Sequence, residues 1–130
     1  MVYVTRKIAE LLKQLGYDEE CNRFYYTNSD DHLHWIQRCI KNSDLSGAYI
    51  AAPPVSEAIR WLQEEKHIFI GRDYEFDEEL RQLSFLAPIK DMDTHRTITV
   101  MGAFSPKDIE MAALEWALDY ITINMTRKKT

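Results

Sequence analysis

Residues 97–121 read TITVMGAFSPKDIEMAALEWALDYI, and the hydrophobic period changes in the middle of that run. Thr97-Ile98-Thr99-Val100-Met101 alternates and is β-branched, as a half-buried strand requires. Ser105-Pro106-Lys107-Asp108 then supplies a cap, a proline suited to the first helical position and an acid in the first turn. Behind it Ile109, Ala113, Trp116, Ala117 and Tyr120 recur at helical spacing, widened by Leu114, Leu118 and Ile121. The stretch predicts a strand that passes into a helix from Pro106 to about Ile123, with the Trp116 stripe buried against a sheet. Both kinds of element therefore share one fold.

Towards the N-terminus the same rules mark two more helices. Ile8, Leu11, Leu12 and Leu15 make one apolar stripe, Thr5 caps its start and Gly16 ends it. Pro53-Pro54 precede Ala58, Ile59, Trp61 and Leu62, which predict a helix running to about Lys66. The remaining segments are short and extended. Arg23-Phe24-Tyr25-Tyr26-Thr27 suits a pleated surface, and Asn28-Ser29-Asp30-Asp31 is turn chemistry. His32 to Ile40 fits either a helical stripe or a strand, and the preceding turn favours a hairpin. With a loop at 28–32, that hairpin would place Cys21 opposite Cys39, as two buried neighbours. Tyr49-Ile50-Ala51 and His67 to Ile70 are extended, and Tyr74 and Phe76 continue the latter in the parity of Ile68 and Ile70. Asp77 to Leu83 fits a turn of helix, and Leu45-Ser46-Gly47 and Asp91-Met92-Asp93-Thr94 fit turns. Pro88 assigns Leu83–Ile89 to a sheet edge, because proline has no N–H for a central ladder. The expected fold is α+β: a mainly antiparallel sheet of about four to six strands with three helices on one face. Residues 1–126 form a single domain in this reading, and 127–130 a basic tail.

Composition narrows the function classes. The 130 residues carry 16 basic and 21 acidic side chains, a net charge of −5, and Arg127, Lys128 and Lys129 supply three of the cations. A nucleic-acid binder needs a basic face to displace counterions, and none is visible ahead of the tail. No apolar run is long enough to span a bilayer, and no leader-like segment opens the chain. A cytoplasmic protein with reduced Cys21 and Cys39, no cofactor and no membrane or nucleic-acid partner is expected.

Two clusters carry the polar chemistry. Asp30-Asp31-His32-Leu33-His34 would project His32 and His34 from one face of a strand, yet nothing nearby completes a four-ligand zinc set. Asp91-Met92-Asp93-Thr94-His95 offers Asp91, Asp93 and His95, in a pattern that a hairpin tip also explains. No glycine-rich phosphate loop or nucleophile elbow occurs.

The order of pieces resembles a known group. Leu15-Gly16-Tyr17-Asp18-Glu19 is followed by Phe24-Tyr25-Tyr26, then Ala52-Pro53-Pro54, Trp61-Leu62-x-Glu64-Glu65-Lys66-His67, and an Ala/Leu/Glu-rich closing helix. This is similar to a family of small uncharacterised proteins encoded by bacteriophages and prophages of gut bacteria, with Pro54 where that family has a capping Thr. The resemblance implies a fold and a setting, and no activity. Two functions remain open. One is a non-catalytic accessory or interaction module, working as a homodimer or with a protein partner through Phe85, Leu86 and Ile89. The other is a small hydrolytic or metal-dependent enzyme using His32, His34, Asp91, Asp93 and His95.

Overall fold

The computed structural model describes residues 2–27, 31–44, 47–103 and 105–128, and in it the chain runs through three helices and seven strands. The turn residues 28–30, Leu45-Ser46, Phe104 and the last two residues of the basic tail lie outside the described residues. The chain divides into two compact units, Met1–Ala58 with Ile121–Thr130, and Ile59–Tyr120. Each unit holds one antiparallel sheet. The α+β class and the three helices are as the sequence implies, and the strands are shared between two sheets.

In the first unit α1 (Arg6–Gln14) starts where the Thr5 hydroxyl accepts the Ile8 N–H at 3.3 Å. It stops at Gly16, whose φ of 98° is costly for any residue with a Cβ. Strand β1 (Cys21–Tyr26) lies between β2 (His34–Ile40) and β3 (Tyr49–Ala51). Lys13 donates to the Tyr49 carbonyl and Arg6 to the Thr27 carbonyl, so cations of α1 hold the sheet's backbone. The core is built from Val4, Ile8, Ala9, Leu12, Tyr25, Ile50 and Ala51. One polar side chain is buried with them. Asn42 donates to the Tyr17 carbonyl at 2.8 Å and accepts the Ala51 N–H at 2.9 Å. It thereby satisfies the outer edge of β3, and truncating it would orphan two backbone groups at about 1–3 kcal/mol each.

The β1–β2 ladder differs from the expected register. Phe24 faces His34 and Arg23 faces Trp35, but the next pair is Cys21 with Ile40. Two steps along β1 match five along β2, so an irregularity absorbs the difference. Cys39 is thrown out of line, and it is exposed while Cys21 is buried. The cross-strand pair of thiols does not form.

The second unit contains β4 (Ile68–Ile70), β5 (Asp73–Asp77), β6 (Gln82–Asp91) and β7 (Arg96–Ala103). Both β4 and β5 pair with β6 in one register, Ile70 with Ile89 and Asp73 with Leu86, so they are one strand interrupted at Gly71-Arg72. Strand β7 lines the other edge of β6. The segment expected at an edge is thus central, and Pro88 sits inside it. The reason is geometric. The Pro88 carbonyl accepts the Gly71 N–H at 2.8 Å, so the missing Pro88 donor points at the interruption between β4 and β5. A Cβ on Gly71 would lie 3.0 Å from Pro88 Cγ and 3.2 Å from Phe69 Cε1, which explains glycine there.

Helix α2 (Val55–Lys66) begins just after the paired prolines, the Pro54 carbonyl accepting the Ala58 N–H. Helix α3 (Pro106–Lys128) runs past the expected end near Ile123 and takes in the first two residues of the tail. Its buried stripe is Ile109, Ala113, Leu114, Ala117 and Leu118. Trp116 and Tyr120 flank that stripe half-buried, with rings stacked at 5.3 Å. Ile68, Ile70, Ala87 and Ile89 complete the second unit's core.

Candidate interaction surface

The β5–β6 and β6–β7 hairpins turn by the same device. Asp77 Oδ1 accepts the N–H groups of Glu79 and Leu80, and Asp91 Oδ1 accepts those of Asp93 and Thr94. Each loop closes on a left-handed residue, Arg81 at φ 49° and His95 at φ 59°. Such a turn holds the strands tightly; the β5–β6 ladder keeps strict alternation, whereas the β6–β7 ladder slips between Ile89 and Lys90. The expected helical turn at Asp77–Leu83 is this hairpin loop.

Alternation places Tyr74 opposite Phe85 and Phe76 opposite Leu83, all on the face that carries buried Ile70 and Ile89. Along the first half of that face the side chains are covered. Along the second half they are not: Tyr74 is 69% exposed and Phe76 56%, with Leu80 and Leu83 open beside them. Asp73, Glu75 and Asp77 alternate with the rings, and Glu78 and Glu79 extend the acids into the loop. Arg72 is held by Glu110 at the start of α3. The hairpin therefore has an apolar face, with carboxylates on the other face of β5 and in the loop, and β5 has no second strand partner among the described residues.

This replaces the surface read from sequence. Ile89 is fully buried and Phe85 and Leu86 are half-buried, because β6 is the central strand. Ile89 therefore serves the core, and the segment Leu83–Ile89 offers no free edge. The signal for the exposed apolar face was present in Asp73-Tyr74-Glu75-Phe76-Asp77, whose alternation marks one acidic and one aromatic face.

The polar clusters separate into structural roles. Asp91 is occupied by its turn, and Asp93 Oδ1 lies 2.9 Å from Nδ1 of His67, a residue the sequence did not single out. That pair is open to solvent on both sides. His34 belongs to the first unit and stacks on Phe24 at 5.5 Å, with its edge towards Tyr26 at 4.6 Å; the His32 ring lies 6.1 Å away. Among the described residues no three His, Cys, Asp or Glu side chains are placed to share a metal ion.

Titration follows burial. Removal from water pushes the Cys21 thiol up to about 11 and lifts the Tyr17 phenol still further. Burial also raises Tyr25, whose hydroxyl donates to the Val4 carbonyl at 2.8 Å. All three are held neutral inside the first unit. None is poised as an acid or base near neutrality.

No described helix is long and apolar enough to cross a membrane. Compared with known proteins, the chain matches no family model, no curated protein and no solved structure.

Proposed function

We propose that the protein is a non-catalytic interaction module whose working surface is the outer half of the β5–β6 hairpin. The observation that carries this reading is the apolar group Tyr74, Phe76, Leu80 and Leu83, exposed on a well-formed hairpin. A large apolar surface with a polar rim is costly to leave in water and is the common form of a binding site. The occupant is a strand-forming segment of another protein, apolar on one side and basic on the other. Charge selects it. Residues 73–79 hold five acids, which would repel a second copy and attract Lys and Arg. An extended segment added along β5 would gain backbone hydrogen bonds as well. A cytoplasmic setting is supported by two cysteines that form no disulfide, and the phage or prophage accessory role rests on the sequence resemblance alone.

The probe is a synthetic ten-residue peptide alternating Lys and Val, titrated into the full chain by NMR. Saturable shifts confined to residues 73–83, weakened at least tenfold by Phe76→Lys and by replacing Val with Ser in the peptide, are expected. Equal binding of both peptides would reduce the surface to bulk charge and overturn the reading. Sedimentation showing a dimer that Phe76→Lys dissociates would replace the partner with a second copy.

A further inference from the structure

The first unit carries a second surface of different chemistry. Phe24, Tyr26, Ile36, Arg38, Ile40 and Tyr49 line a concavity of about 210 Å³ on the β2-β1-β3 sheet. Register explains why they meet. Phe24 faces His34 and Tyr26 faces Tyr49, so these rings share one side of the sheet, and Ile36 and Arg38, in the irregular stretch of β2, line the same concavity. Phe24 and Ile40 are buried and form the floor. The Tyr26 and Tyr49 rings stand half-buried beside it, each about 5 Å from Phe24, between centroids 5.1 Å apart. Arg38 is exposed at the rim and makes no hydrogen bond or ion pair with the described residues. Among the described residues no carboxylate lines the concavity.

From this geometry we propose that the concavity is a binding site for a small planar aromatic anion, a single ring bearing a carboxylate or phosphate. Size sets the first limit. A dry cavity of roughly 150 Å³ holds a benzene ring, and drug-sized ligands need about 300 Å³ or more, so the space suits one ring with one substituent. Chemistry sets the second. Aromatic rings meet a planar guest by offset stacking or edge-to-face contact. The guanidinium fork of Arg38 matches a carboxylate or phosphate bidentately, with the two phenol hydroxyls as further donors. An uncharged ring would gain the stacking and lose the fork. This site lies on β1, β2 and β3, and it stands or falls independently of the hairpin surface.

The test titrates the full-length chain by NMR with benzoate, phenyl phosphate and benzamide. Benzoate or phenyl phosphate should give saturable shifts centred on Phe24, Tyr26, Arg38 and Tyr49, and whichever binds tighter names the anion. Benzamide should bind at least tenfold more weakly than the better anion. Arg38→Gln, an exposed change that leaves the fold intact by its dispersed spectrum, should bring that anion down to the benzamide level. Absence of saturable shifts with both anions up to millimolar concentrations, equal affinity for benzamide, or indifference to Arg38→Gln would each overturn the proposal.

Discussion

At the scale of the residue, the two cysteines show how the register of one ladder changes chemistry. A ladder pairing Thr27 with Leu33 would have set Cys21 and Cys39 side by side; the ladder formed pairs Phe24 with His34 and, beyond its slip, Cys21 with Ile40, and it leaves one thiol buried and the other exposed. Cys39 should therefore react with a thiol reagent at once at pH 8, and Cys21 only when the first unit opens. A titration releasing both at the same rate would contradict the register. The same burial dictates a pH response. Folding raises Cys21 from an ordinary value of 9.0 to about 11, and raises Tyr17 and Tyr25 from 10.0. Between pH 9 and 11 the unfolded chain releases a thiol proton that the folded chain keeps, so the unfolded state binds fewer protons and stability falls. The contribution is whole below pH 9 and is lost as pH rises through 11, with the phenols adding to the fall at higher pH. Urea midpoints should be level with respect to these groups from pH 7 to 8 and decline above 9, less steeply in Cys21→Ala.

At the scale of the element, Pro88 and Gly71 act as a pair. Neither suits the interior of a sheet by itself, and each removes the other's difficulty: the interruption at Gly71 receives the missing proline donor, and the bare glycine admits the ring. Gly71→Ala forces a methyl to 3.0 Å from Pro88 Cγ and should cost about 1–3 kcal/mol. Pro88→Ala in that background should recover at least half of the loss, a coupling that chemical denaturation of the four members of the cycle would measure. Additive effects would show that the contact is relieved elsewhere. This pair also marks the limit of what was legible. Helix ends could be read because Thr5, Gly16, Pro53-Pro54 and Ser105-Pro106 act within one turn of themselves. The fate of Pro88 depends on a partner seventeen residues away, and local rules put its strand at an edge. Tyr74 and Phe76 were correctly placed in the parity of Ile68 and Ile70, yet parity does not say how far cover extends along a face. The proposed working surface lies where that cover ends. The contact of His67 with Asp93 was illegible for the same reason, since the hairpin that returns β6 into β7 makes it.

At the scale of the whole molecule, a net charge of −5 and an apolar hairpin set opposing tendencies. Far above its isoelectric point near 5.3 the protein repels its copies, and this long-range term keeps the exposed Tyr74, Phe76, Leu80 and Leu83 from meeting. Near pH 5.3 the net repulsion vanishes. What then opposes self-association is the local rim of acids, a short-range repulsion that salt weakens because the Debye length falls from about 10 Å at 0.1 M to about 3 Å at 1 M. Apolar attraction is not screened in this way. Light scattering at pH 5.3 should therefore rise with added sodium chloride, the opposite of association driven by contacts between unlike charges. The double variant Tyr74→Ser with Phe76→Ser removes the two most exposed rings of the hairpin without touching a buried side chain, and it should flatten the response. If the variant and the parent scatter equally across the salt series, the attraction resides on another part of the surface, and the hairpin is no more adhesive than the rest of the molecule.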